Sequence, residues 1–287
     1  MANPKSAVNT STHATHPVLR PLFARPFAAV MGVLNITPDS FSDGGEFFAA
    51  DSAIAHAQAM IAGGADIIDI GAESTRPYGN AKPVSAAEER NRLEPILAAV
   101  AELGTPASID TMKAEVAGWA IGQGASIVND VWGLQRDPDM ASVVARHGVP
   151  IMIMHNREAA DPSLDIVRDM IVFFRRSLAI AKDAGIPDGN IVLDPGIGFG
   201  KTPEQSMIAL ARLDELTVLN YPLLVGASRK RFIASVTPSE PQERLGGSIA
   251  AHLLAVQRGA KIIRSHDVAE TVQALRVAAA IEDKRQR

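Results

Sequence analysis

The sequence predicts one α/β domain, a single (β/α)8 barrel of the TIM type with its active site at the C-terminal ends of the strands. Three observations carry this. From residue 28 onward, eight short apolar runs rich in β-forming residues alternate with longer amphipathic ones, the pattern of repeated βα units. No Pro/Gly-rich linker separates them into halves. Each short run finishes in polar residues, and in a barrel those ends converge on the rim where chemistry resides.

Bulk properties fit. At 287 residues and 47% hydrophobic content, the chain can bury a large core and lies just above the usual length of one such barrel. A net charge of -4 implies no basic face for nucleic acid, so any bound anion must be held by a few placed cations. There are no cysteines, which removes disulfides, thiolate metal sites and a Cys nucleophile, and fits a reducing cytoplasm. Residues 1–26 are rich in Ser, Thr, Asn, His and Pro and lack an apolar block for a signal or membrane span. They are expected to form a disordered or loosely packed tail, His13 and His16 included, with the barrel occupying 27–287.

The predicted strands are 28–35, 66–71, 107–110, 126–130, 150–155, 190–194, 222–226 and 261–265. Helix-like stretches between them include 52–62, 85–103, 164–184 and 247–258, several ending in glycines that suit a left-handed cap: Gly63-Gly64, Gly104, Gly185 and Gly259. The first strand is organising. Its apolar run stops at Asn35 and gives way to Thr37, Asp39, Ser40, Ser42 and Asp43, with Pro38 ending the strand and Gly44-Gly45 loosening the loop. Taken alone, that stretch also reads as an ordinary surface turn.

Later strands end in Asp69 with Glu73, Asp110, Asn129 with Asp130, His155, Asp194, Ser228-Arg229-Lys230, and Arg264 with His266-Asp267. The segment DPGIGFGKT, 194–202, resembles a nucleotide loop only superficially. A P-loop requires Gly where Pro195 stands, and a dinucleotide fingerprint requires Gly where Lys201 stands. The better reading aims Asp194 into the barrel mouth, with the glycines letting backbone pass close to a flat ligand. Ser228 to Arg231 reads either as a solvated basic patch or as a source of an inward cation, Lys230. Arg264 and His266 alternate and so share a side, where they would fork around a phosphate; the alternative pairs Arg264 with Asp267. His155 reads as a satisfied core histidine, and Met152 and Met154 as packing, one of them free to face a bound ring. No HExxH or similarly spaced cluster exists, so a protein zinc cage is not expected. Hard-oxygen chemistry at Asn35 suits Mg²⁺ shared with a ligand's phosphates.

Along 27–276, through MGVLNITPDSFSDGG, DIIDIGAESTRP, SIDT, IVNDV, DPGIGFGK, LLVGASRKRF and IIRSHD, the chain resembles the bacterial dihydropteroate synthases, a pterin-binding barrel family. The resemblance implies joining 4-aminobenzoate to (7,8-dihydropterin-6-yl)methyl diphosphate, with release of pyrophosphate, in folate biosynthesis. It implies a pterin pocket of Asp110, Asn129, Asp194 and Lys230 with Met154 and Phe199 beside it. Asn35, Arg264 and His266 would take the diphosphate, with Asn35 also at Mg²⁺. Phe41, Thr75, Arg76, Pro77 and Ser228 would take the aminobenzoate, where sulfonamides mimic it, and Asp43 would steady positive charge at the reacting carbon. It further implies a cytoplasmic homodimer that acts on small molecules, with no nucleic acid or membrane partner. Three positions depart from the family pattern: Ala72 for a frequent Gly, Tyr78 inserted between Pro77 and Gly79, and Ser265 for a common Val. A pterin-dependent methyltransferase and a non-catalytic paralogue are the competing expectations.

Overall fold

The computed structural model describes residues 14–36, 46–73 and 84–285. Eight parallel strands close into a barrel in sequence order: β1 Ala29–Asn35, β2 Ile67–Gly71, β3 Ala107–Asp110, β4 Ile127–Asp130, β5 Ile151–Met154, β6 Ile191–Asp194, β7 Leu223–Val225 and β8 Ala260–Ser265. Each lies within one residue of its predicted ends. The helices are α1 Arg20–Phe23, α2 Glu46–Ala62, α3 Ala86–Leu93, α4 Leu97–Ala101, α5 Ala114–Gly122, α6 Met140–His147, α7 Ile166–Asp183, α8 Pro203–Ala211, α9 Arg231–Val236, α10 Leu245–Gln257 and α11 Val268–Arg285.

The continuous helix expected over 85–103 is two helices. Pro95 has no N–H to give the carbonyl of Asn91 and its ring crowds that turn, so α3 stops at Leu93 and α4 begins at Leu97. Helix α2 starts six residues before its predicted start, at Glu46 instead of Ser52. Side-chain caps start others: Ser85 accepts from the Glu88 N–H, Asp165 from Val167 and Arg168, and Thr202 forms a capping box with Gln205. Gly64, Gly104, Gly185 and Gly259 all have positive φ, as their reading as caps requires.

The barrel has two cores separated by strand parity. Outward residues such as Val30, Ile68, Ile109, Val128, Ile153, Leu193 and Ile263 pack under the helices. Inward residues Ala29, Met31, Ile67, Ile127, Met152, Val192, Leu224 and Ile262 fill the lower barrel. Leu19 and Leu22 complete that inner cluster from below, fully buried or nearly so. Arg25 pairs with Asp66, whose other oxygen accepts the Val30 N–H at 3.0 Å. The loose tail expected over 1–26 therefore does not hold for residues 14–26: a Leu pair three residues apart on one helical turn finds the apolar floor of the barrel.

Candidate active site

Side chains two apart on a strand share a face, so the apolar floor fixes what stands above it. Two residues beyond Ile67, Ile127, Met152, Val192 and Ile262 come Asp69, Asn129, Met154, Asp194 and Arg264. Registers place Gly71 beside Asp110, Asp110 beside Asn129 and Met154 beside Asp194. Gly71 keeps the crowded β2/β3 edge open, since a Cβ there would come within 3.2 Å of the Asp110 Cβ.

Arg264 crosses the mouth. Its Nε donates to Asp69 Oδ2 at 2.6 Å and its Nη2 to Asp110 Oδ2 at 2.9 Å, while Asn129 Nδ2 donates to the same Asp69 oxygen at 3.0 Å. Asp267 instead takes both edges of Arg229, at 3.1 and 2.5 Å, so the pairing of Arg264 with Asp267 is not formed. Arg264 lies on β8 with its Cα opposite Met31, directed across the barrel, whereas Asp267 stands past the strand end. Three acceptors in this cluster are buried without a hydrogen-bond partner: Asp69 Oδ1, Asp110 Oδ1 and Asn129 Oδ1. Burial, then the neighbouring Asp69 carboxylate, raises the Asp110 pKa against the pull of Arg264.

Asp194 is buried at the end of β6, and one of its oxygens accepts the Gly196 N–H at 2.7 Å. Burial lifts its pKa to about 6, opposed by that hydrogen bond and by Lys230. The following turn needs its glycines: Gly196 and Gly200 have φ of +62° and +53°, and a Cβ at either would collide with the backbone of His155 or Arg157. Phe199, half-buried on this turn, lies under the Lys230 ammonium at 4.1 Å from ring centroid to Nζ. Lys230 is thereby held to the mouth and not out in a solvated patch.

Ser228 is 3% exposed. Its Oγ accepts the His266 backbone N–H at 3.2 Å and meets His266 Nδ1 at 3.0 Å. With the hydroxyl hydrogen given to Nδ1, the imidazole carries its own proton on Nε2. His266 is the first residue past β8, and Asn35 closes β1, half-buried, with its Cα opposite Gly71. The Ser265 departure faces the helix layer, where its hydroxyl bonds Thr271 Oγ1 at 3.0 Å; Ala72 is fully buried and its carbonyl accepts from Arg92.

The site therefore joins Asp110, Asn129, Arg264, Asp194, Phe199 and Lys230 with Met154 alongside, and joins Ser228 to His266. Phe41, Asp43, Thr75, Arg76, Pro77 and Tyr78 lie outside the described residues. Asp69 was legible only as one strand-end acid among several, yet it ties Arg264 to Asn129; its inward parity with Ile67 is the signal. Lys113, and its junction with the strand-end acid Glu73, has no signal in the sequence. Glu73 Oε1 accepts the Val84 N–H at 3.0 Å and Oε2 takes Lys113 Nζ at 2.5 Å, while Lys113 also holds Glu89 at 2.6 Å. His155 is a satisfied core histidine, as expected, between Asp169 and Lys201.

A mouth of paired acids, an amide, two cations and orphaned acceptors on a (β/α)8 rim defines a barrel enzyme that binds a polar, donor-rich ligand. The family model described as pterin binding enzyme matches residues 31–266, and the chain belongs to that family. It is 47% identical over 256 residues to the dihydropteroate synthase of Bacillus subtilis, covering 89% of each chain. It is 45% identical to that of Clostridium beijerinckii, covering 86% of this chain and 92% of the other. Among solved structures, a Clostridium difficile dihydropteroate synthase crystallised with pteroic acid superposes with a TM-score of 0.86 at 46% identity, covering 89% of this chain and 97% of that one. The Xanthomonas albilineans enzyme in complex with 7,8-dihydropteroate gives 0.81 at 41%, covering 89% and 94%.

Proposed function

We propose that this chain is a dihydropteroate synthase, a transferase that condenses 4-aminobenzoate with (7,8-dihydropterin-6-yl)methyl diphosphate to give 7,8-dihydropteroate and pyrophosphate. One observation carries the reading: the partnerless acceptors Asp69 Oδ1, Asp110 Oδ1 and Asn129 Oδ1 at the mouth. Buried acceptors are costly unless a donor arrives, and a pterin offers a row of N–H groups along one edge. Asp194 accepts the paired N–H donors of the pyrimidinone edge, Lys230 donates to its carbonyl, and Phe199 and Met154 flank the ring.

The reaction needs a good leaving group and a held electrophile. The lone pair of the aromatic amine, neutral at physiological pH, attacks the methylene carbon. The carbon–oxygen bond breaks, its electrons leave on pyrophosphate, and the surplus amine proton passes to solvent. His266, oriented by Ser228 at Nδ1, donates from Nε2 to the leaving diphosphate, and Arg264 adds positive charge at the same edge. The surrounding carboxylates favour the positive charge that grows on the methylene. Ser228 also borders the place for the amine, beside Phe41, Thr75, Arg76 and Pro77, with Asp43 near the reacting carbon.

Magnesium belongs to this reading. The amide oxygen of Asn35 together with the substrate's phosphate oxygens fits a hard, oxygen-seeking cation. Bound there, Mg²⁺ would supply charge neutralisation to the diphosphate. We assign the protein to the cytoplasm; among the described residues no helix is long and apolar enough to cross a membrane.

The test is pyrophosphate release by the purified protein given the pterin diphosphate, with and without 4-aminobenzoate and Mg²⁺. Amine-dependent release with formation of dihydropteroate is expected. Tight pterin binding without release would replace the synthase with a non-catalytic pterin-binding paralogue.

A further inference from the structure

Lys201 is the last residue of the glycine turn after β6, where the spacing already argues against a phosphate-binding lysine. The structure turns it inward. The side chain is 2% exposed, its Nζ donates to the carbonyls of Gly196 at 3.0 Å and Phe199 at 3.1 Å, and it lies 2.6 Å from His155 Nδ1. An ammonium buried this deeply is costly unless each of its three protons has an acceptor. A methionine would fill the same space without that cost, so the charge is kept for what it holds.

What it holds is the pterin side of the site. Gly196, whose carbonyl Lys201 grips, also gives its N–H to the Asp194 carboxylate at 2.7 Å, and its carbonyl accepts the Phe199 N–H at 3.0 Å. Phe199, whose carbonyl Lys201 also grips, carries the ring beneath Lys230. One ammonium thus fixes both ends of the turn that presents the carboxylate and the aromatic face.

The support behind it is polarised in one direction. Burial lowers the Lys201 pKa to about 7; in its ammonium form Lys201 only donates, so His155 Nδ1 then accepts and the ring proton sits on Nε2, which lies 3.0 Å from Asp169 Oδ2. Burial, with Lys201 second, holds the His155 pKa down to about 4, which keeps the ring neutral. Arg157 fixes Asp169 through contacts of 2.9 and 3.0 Å, and Phe173 meets the His155 ring edge-on at 4.8 Å between centroids. The chain runs from the half-buried Asp169 on α7, through His155 after β5, to the turn after β6.

We propose that Lys201, backed by His155 and Asp169, is a positioning residue for the pterin subsite, pinning the glycine turn so that Asp194 and Phe199 meet the heterocycle in register. The proposal rests on the pterin reading given above. It is tested by calorimetric titration of 6-hydroxymethylpterin, and by the two Michaelis constants, for the wild type, Lys201→Met and Asp169→Asn. Asp169→Asn sits toward the surface and keeps the shape while removing the carboxylate charge that backs His155 Nε2, so it reports even where Lys201→Met does not fold. Lys201→Met is expected to weaken the pterin about tenfold to a hundredfold, and Asp169→Asn about threefold to tenfold, as for a small misplacement of binding groups. KM for 4-aminobenzoate should move less than about twofold in both. Wild-type pterin affinity in either folded variant, or an equal rise in both Michaelis constants, overturns the positioning role alone. Absence of pterin binding by the wild type overturns the pterin reading and the positioning role with it.

Discussion

Asp194 sets stability against binding. Its carboxyl is buried, with a pKa of about 6 in the folded protein against the ordinary 3.8. The folded state therefore holds that proton more tightly than the unfolded chain does. The stability this contributes is present below pH 3.8 and is lost as pH rises through about 6. At pH 7.5 the folded protein carries the cost of a buried carboxylate, about 1–3 kcal/mol by the usual conversion. Asp194→Asn keeps an oxygen for the Gly196 N–H and removes the charge. It should melt higher than wild type at pH 7.5, with the gap closing toward pH 4, while pterin affinity falls about a hundredfold or more. Thermal denaturation at the two pH values and titration with 6-hydroxymethylpterin check both halves; an unchanged or lower melting temperature at pH 7.5 would sink the argument. In wild type, pterin affinity should drop as pH falls below 6, because protonated Asp194 can no longer accept two N–H donors.

At the scale of elements, strands were far more legible than helices. Each strand here is a short inward and outward alternation bounded by a polar end, and its limits follow from where the apolar run stops. Helix limits depend on local interruptions that pattern alone smooths over, as at Pro95, where a long amphipathic period hides a break. Connections between elements were least legible. Lys113, at the start of α5, reaches Glu73 after β2 and Glu89 on α3, and nothing in the spacing 73, 89, 113 announces that junction. Glu89 is fully buried, and burial raises its pKa against the pull of Lys113. Lys113→Met would leave that carboxyl without its cation and should cost about 2–4 kcal/mol. Lys113→Met with Glu89→Leu should recover much of the loss. Chemical denaturation of the single and double variants decides it; equal midpoints for wild type and Lys113→Met would show that the junction contributes nothing.

For the whole molecule, the outer faces of the last two helices are the place to look for a second copy. Leu254 on α10 and Val277 and Ile281 on α11 are 46%, 55% and 64% exposed, large apolar side chains on adjacent packed helices. A homodimer using that face is our expectation, and Ile281→Glu should shift the sedimentation coefficient of a dimer to that of a monomer. An unchanged coefficient would move the interface elsewhere.

The sequence by itself determined the barrel, the rim that carries the chemistry and the residue types found there, because parity along a buried strand and the point where an apolar run gives way to polar residues are local properties. The motifs also named the family. Tertiary structure alone decided the pairings: that Arg264 bridges Asp69 and Asp110 while Arg229 takes Asp267, that Ser228 orients His266, that Leu19 and Leu22 seal the barrel floor, and that Lys201 turns inward onto its own loop. The Arg264, Arg229 and Ser228 pairings join residues 38 to 195 positions apart, while Lys201 meets the carbonyls of its own turn. Only barrel closure sets which donor reaches which acceptor, and no periodicity in the chain records that distance.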